Sequence, residues 1–174
     1  MALSAPASRA QDAHHHHAPA AADDRMSGGC DSFKWPLDKE RAAFADAKLE
    51  QVDSGAKRAA FGEQALALKL QAGGEVAYVI LPEKKKESGK AGFGGVVSFA
   101  PPAKAGSFQV TLSGPGWIDV VQGGKGLSAT DHSGAKKCEG LRKSVRFDVE
   151  AQPVVLQISG APADTIKVAV RPAE

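Results

Sequence analysis

Four consecutive histidines, His14, His15, His16 and His17, are the densest chemistry in the chain. Imidazole is a common ligand for zinc, copper and nickel, so the run is a candidate site for divalent metal, copper or zinc. A cut before His14 would add a terminal amine to the cluster. A cut after Gln11 would expose Asp-Ala-His, an amino-terminal arrangement that suits Cu(II) through deprotonated amides. A tag fragment or a low-complexity run accounts for the same residues without a function. The remaining histidine, His132, follows Asp131. Together they make the loop around them a second candidate site, although a catalytic pair needs spatial adjacency rather than adjacency in sequence.

Other patterns carry less. Ser-Gly-Ala-Lys occurs twice, with Ser54 and Lys57 in one copy and Ser133 and Lys136 in the other. The Ser-x-x-Lys spacing matches penicillin-recognising enzymes, but there the serine opens a helix and companion Ser-Asp-Asn and Lys-Thr-Gly elements complete the site. Neither condition is met here. Trp35, Trp117 and Tyr78 could form a sugar-stacking platform; core positions are the plainer reading where aromatics make up 6% of the chain. Asp119 and Asp131 would cleave a glycosidic bond only if they flanked it at the right separation. The cysteines Cys30 and Cys138 are either a long-range staple, if the compartment is oxidising, or two buried thiols, if it is not. No catalytic residue is assigned.

Composition narrows the classes. The chain has 174 residues, 43% of them hydrophobic and 24% charged, with a formal net charge of +2. That is one folded domain with a tail, and it carries no basic footprint for nucleic acid. No apolar run reaches the roughly 18 to 20 residues that cross a membrane as a helix. Residues 1–29 are rich in Ala, Pro, His, Ser and Gly. They are expected to be a disordered tail holding the remnant of a secretory signal, with small residues near a cleavage point. Folded structure is expected over residues 30–174.

The elements that would position these groups are mostly strands. Asp38 is expected to cap a short helix over residues 39–45, with Glu40 favoured in its first turn and Trp35, Leu37 and Phe44 buried. Residues 46–60 read as loop. Leu66, Leu68 and Leu70 alternate as in a strand. Residues 75–81 read as a strand buried on both faces, ended by Pro82, and residues 83–92 as a charged loop that guards an edge. A strand at residues 94–100 follows. Alternation at Phe108, Val110 and Leu112, at Val145, Phe147 and Val149, at Val154, Leu156 and Ile158, and at Ile166, Val168 and Val170 marks further strands, and residues 117–121 read as another after the turn at Gly114-Pro-Gly116. A hairpin turn is expected at Gly123-Gly124, a short strand at residues 127–131 and an irregular loop at residues 132–140. Short strands with turn residues between them predict an all-β fold, an antiparallel, jelly-roll-like β-sandwich with one short N-terminal helix.

Two resemblances add to this reading. Gly-Ser-Phe-Gln-Val-Thr-Leu-Ser, Arg-Phe-Asp-Val and Val-Leu-Gln-Ile-Ser-Gly are similar in layout to bacterial pre-peptidase C-terminal-type sandwich modules, over residues 92–172. Cys30-Asp-Ser-Phe-Lys-Trp-Pro-Leu-Asp-Lys-Glu, Gly116-Trp-Ile-Asp-Val-Val-Gln and His132-Ser-Gly-Ala-Lys-Lys-Cys with Lys-Ser-Val-Arg-Phe-Asp resemble a group of small exported proteobacterial proteins of unassigned function. Some of these carry a homogentisate dioxygenase label. The second resemblance implies export, to the periplasm or the medium, and a Cys30–Cys138 pair. The dioxygenase label implies an iron held by two histidines and a carboxylate in a larger cupin, whereas His132 is this chain's one histidine outside the tail.

The resulting expectation is an exported, monomeric, non-enzymatic binding or accessory module. Its partner would be a small ligand or an envelope component, and its His-rich tail would capture copper or zinc. The alternative is a metal-dependent oxygenase or a hydrolase using Asp131 and His132.

Overall fold

The computed structural model describes residues 27–62, 64–82 and 92–174. The expected signal remnant, the histidine run and nearly all of the charged loop after Pro82 lie outside them. Twelve strands and one α-helix are seen among the described residues. After a 3-10 turn at Cys30–Ser32 come α1 (Asp38–Ala45), β1 (Gln51–Asp53), β2 (Lys57–Ala60), β3 (Gln64–Lys69) and β4 (Gln71–Ala72). The second half holds β5 (Phe93–Ala100), β6 (Gly106–Leu112), β7 (Trp117–Gln122), β8 (Lys125–Gly126), β9 (Ala129–Gly134), β10 (Lys143–Val149), β11 (Val154–Ala161) and β12 (Thr165–Pro172).

They form a two-layer all-β sandwich. Sheet A runs β1-β3-β12-β6-β10-β9; sheet B runs β2-β5-β11-β7-β8, with β4 also on β5. The expectation of purely antiparallel sheets is corrected. β1 lies parallel to β3, and β2 parallel to β5. Both parallel strands are short and come from residues 46–60, expected as loop. With Val52 as their one bulky apolar side chain, they carry no repeated alternation to announce them.

Alternation along the longer strands fills the space between the sheets. Leu66 and Leu68 of β3, Val110 and Leu112 of β6, Leu156 and Ile158 of β11, and Val168 and Val170 of β12 all belong to one buried cluster. Phe61 sits in it with its ring edge-on to Phe99, centroids 5.3 Å apart. Gly123 and Gly124 both have positive φ, 55° and 76°, which a two-residue hairpin turn of matching twist requires.

A second, smaller cluster lies on the outer face of sheet A, where Trp35, Leu37 and Phe44 meet Ala135, Cys138, Leu141 and Ala169. The small side chains Ala65 and Ala169 face each other across β3 and β12 and let α1 approach the sheet closely. Lys167 donates to the main-chain oxygen of Phe44 near the end of the helix, where the dipole favours a cation. The helix begins one residue earlier than expected, with Leu37 preceding it and no side-chain cap. Asp38 is therefore inside the first turn rather than at its cap.

Cys30 and Cys138 form a disulfide, Cα atoms 4.6 Å apart across 108 residues of sequence. It ties the segment before α1 to the connection between β9 and β10. Nearby, the Lys137 amide donates to Gly28 at 3.1 Å.

Residues 75–81 are not a strand. They cross the outer face of sheet B as an irregular strap that leaves Val79 and Leu81 exposed. Both edges of β5 are already paired, by β11 on one side and by β2 and β4 on the other. The strap's backbone bonds to a side chain instead. Val79 and Ile80 donate to Gln157 Oε1 at 2.6 and 3.2 Å, and Gln157 Nε2 donates to the Ile80 carbonyl at 3.1 Å. Tyr78 donates to the Ile158 carbonyl at 3.3 Å. Gly94 makes room for that ring, since a Cβ there would lie 1.9 Å from the Tyr78 oxygen.

A candidate anion-binding cleft on the outer face of sheet A

The register of sheet A brings its outward polar side chains into rows. Ser133, Ser144 and Thr111 align across β9, β10 and β6. The hydroxyls of Ser144 and Thr111 are 2.9 Å apart, Trp35 Nε1 donates to Ser144 at 3.2 Å, and the Lys34 amide donates to Ser133 at 2.9 Å. This row is a fully engaged seat for the segment leading into α1.

The adjoining row runs Asp131, Arg146, Gln109, Arg171 across β9, β10, β6 and β12. Its last three members form the floor of a cleft of about 190 Å³, also lined by Trp35, Glu40, Lys39 and Glu174. The Arg146 guanidinium lies 4.1 Å from the centre of the Trp35 ring, a stacked cation–π arrangement that holds its plane. Arg146 donates to Gln109 Oε1 at 3.4 Å and to the main-chain oxygen of Glu174 at 3.0 Å. Gln109 in turn donates to Glu40 Oε1 at 2.7 Å. Glu40 is 2% exposed. Its Oε1 lies 3.8 Å from Arg171 Nε, close enough to attract but too far for a hydrogen bond. The Nε atoms of Arg146 and Arg171 are both buried without a hydrogen-bond partner.

Sequence reasoning missed this site. Glu40, Gln109, Arg146 and Arg171 are scattered over the chain, and each is unremarkable alone. The only local signals were the outward positions of Gln109 and Arg146 between buried neighbours, and of Arg171 directly after buried Val170.

The structure places the expected candidates elsewhere. Residues 14–17 lie outside the described residues. Asp131 and His132 are not in a loop: both belong to β9, so the irregular stretch is shorter than expected. Successive strand residues point to opposite faces, so the Asp131 carboxylate and the exposed His132 imidazole diverge. Asp131 is engaged by Lys34 and accepts the His132 amide at 2.7 Å. The Lys34 hydrogen bond, then the His132 amide, holds the Asp131 carboxyl below the usual carboxylate range. Among the described residues no three His, Cys, Asp or Glu side chains come together as a metal site.

Asp119 faces outward from sheet B, where Trp117 Nε1 donates to it at 2.9 Å. It and Asp131 therefore lie on opposite outer faces of the sandwich and cannot flank one bond. The same geometry separates Trp35 from Trp117 and Tyr78, so the three rings form no common platform. Of the two Ser-x-x-Lys serines, Ser54 accepts the Val96 amide at 3.1 Å and Ser133 the Lys34 amide; neither opens a helix.

No helix among the described residues is long and apolar enough to cross a membrane, which says nothing about a β-barrel. No family model, curated protein or solved structure matches the chain at a significant level.

Proposed function

We propose that the protein is an exported, non-enzymatic binding module that holds a small anionic ligand in the cleft between α1 and sheet A. The observation that carries this reading is Arg171. Its side chain is only 22% exposed, yet among the described residues its guanidinium makes no hydrogen bond, and its Nε is buried without a partner. Shielding a charged donor without an acceptor costs roughly 1 to 3 kcal/mol or more, and folded proteins rarely keep such a group without a use for it. A guanidinium fork matches the paired oxygens of a carboxylate or phosphate. Arg146 supplies a second fork on the same face, two strands away across β6.

Binding rather than catalysis follows from the kinds of group that converge. The floor is two arginines, which do not give up their protons, and a glutamine, which does not titrate; the Trp35 donor is spent on Ser144, and of the lining carboxylates Glu40 is engaged by Gln109 and Glu174 by Lys39. Export is supported by the Cys30–Cys138 disulfide, a bond that persists in oxidising compartments. Capture of copper or zinc by residues 14–17 would be a separable property of the tail, and the cleft does not need it.

The test is an NMR titration of the full chain with acetate, inorganic phosphate and sulfate, following the arginine Nε–H resonances. The expected result is a saturable shift of Arg146 and Arg171 with at least one of these anions, lost in Arg171→Gln. No saturable shift with any of them, or an identical shift in the variant, would overturn the reading.

A further inference from the structure

The outer half of the cleft already shows what kind of anion fits. Glu174 lines it and touches two of its cations at once. Its main-chain oxygen accepts from Arg146 at 3.0 Å, and its side-chain carboxylate takes Lys39. The hydrogen bond from Lys39, with a smaller pull from Arg171, holds the Glu174 carboxyl below its usual range. Between those two oxygens run the main-chain carbonyl carbon, Cα, Cβ, Cγ and Cδ. That is the carbon skeleton of glutarate, with an oxygen-bearing carbon at each end.

The grip on this residue is light. Its side chain is 77% exposed and that of Lys39 62% exposed, and an ion pair so open to water is weak. The deeper donors on Arg146 and Arg171 remain unused while Glu174 is in place. Charge points the same way. The cleft lining carries three cations, Lys39, Arg146 and Arg171, against three carboxylates, Asp38, Glu40 and Glu174. Displacing Glu174 removes one of these carboxylates from the lining and creates a place for an incoming anion.

We infer that the ligand is a five-carbon dicarboxylate. One carboxylate sits on Arg146 and Arg171, the other on Lys39, and Glu174 occupies the outer positions as an internal competitor until the ligand displaces it. This rests on the reading of the cleft as an anion site and adds the class of anion and a device that sets its affinity. A resident competitor lowers the apparent affinity by the fraction of time it occupies the cleft, so removing its side chain raises that affinity without adding a contact.

The experiment is a calorimetric titration of the full chain with acetate, malonate, succinate, glutarate and adipate. It compares the unmodified protein with Glu174→Ala, Lys39→Ala and Arg171→Gln, and a melting curve for each variant establishes that it is folded. Affinity is expected to peak at glutarate. Glu174→Ala tightens glutarate by roughly three- to tenfold. Lys39→Ala flattens the dependence on chain length but leaves acetate binding in place, and Arg171→Gln removes binding of every member of the series. Acetate binding that depends on Arg171, with no preference for chain length in either the unmodified protein or Glu174→Ala, would overturn the dicarboxylate inference and leave the anion cleft standing. Absence of binding across the series in a folded Glu174→Ala protein would overturn the dicarboxylate inference, and absence of phosphate and sulfate binding to the same protein would remove the anion cleft as well.

Discussion

At the scale of single residues, the cleft depends on one buried carboxylate. Glu40 is 2% exposed and is the nearest anion to Arg171, 3.8 Å away, while also accepting from Gln109. Removing it leaves a shielded guanidinium without its nearest counter-charge and an amide donor with no acceptor. Glu40→Ala is therefore expected to lower stability by about 2 to 4 kcal/mol in urea unfolding. Glu40→Gln retains an acceptor for Gln109 and should cost clearly less. A loss below about 0.5 kcal/mol for the alanine variant, the size of a neutral surface change, would mean that water reaches Arg171 freely and that the cleft is not desolvated. From sequence, Glu40 reads as a helix-favouring residue in a first turn. That is true as far as it goes, since it lies in the first turn of α1. What sequence cannot show is that this turn lands on Gln109 and Arg171, because the helix sits where the alanines of β3 and β12 and the seat for Trp35 allow it.

At the scale of elements, the strap over sheet B shows how an apolar run can be mistaken for a strand. Val76, Tyr78 and Ile80 are half-buried and Val79 and Leu81 exposed, so period two is present. The partner of the backbone is the Gln157 side chain rather than a neighbouring strand. The strands that were legible, β3, β5, β6, β7, β10, β11 and β12, are those whose alternate residues enter the central core. The parallel pairings of β1 and β2 were not, because they follow from which sheet edges remain open after the long strands have paired. The strap makes a pH prediction. Burial, and then the Asp119 carboxylate, pushes the phenol of Tyr78 above its ordinary value of 10.0. A raised folded-state pKa means that the neutral ring's contribution is fully present below pH 10.0 and is lost as pH rises through the folded-state value. Tyr78 is the only tyrosine in the chain, so the phenolate absorbance reports it alone. Its midpoint is expected above that of free tyrosine. Asp119→Asn should lower it in part, and Gln157→Ala, which unclasps the strap, should lower it further. A midpoint at the free value in the unmodified protein would mean that the strap does not shield the ring.

At the scale of the whole molecule, sheet A holds two apolar clusters apart. The central one joins the two sheets; the outer one, with Trp35, Leu37 and Phe44, joins sheet A to α1 and the segment before it. The disulfide belongs to the outer cluster through Cys138, which is buried there. Its 108-residue span corresponds to about 4 to 5 kcal/mol in the chain-entropy treatment, and measured effects are often smaller. The double variant Cys30→Ser, Cys138→Ser is expected to lose a few kcal/mol in denaturant unfolding. The loss should not be uniform, because stability is distributed over units that open separately. Amide exchange should rise most over residues 28–45 and 135–141, which the bond holds together, while β6, β11 and β12 retain the highest protection. Trp35 and Glu40 reach the cleft from that loosened segment, so anion binding should weaken more than the central core does. Equal acceleration of exchange everywhere would show that the two clusters unfold as one unit, and that the disulfide stabilises the sandwich as a whole rather than the wall of its cleft.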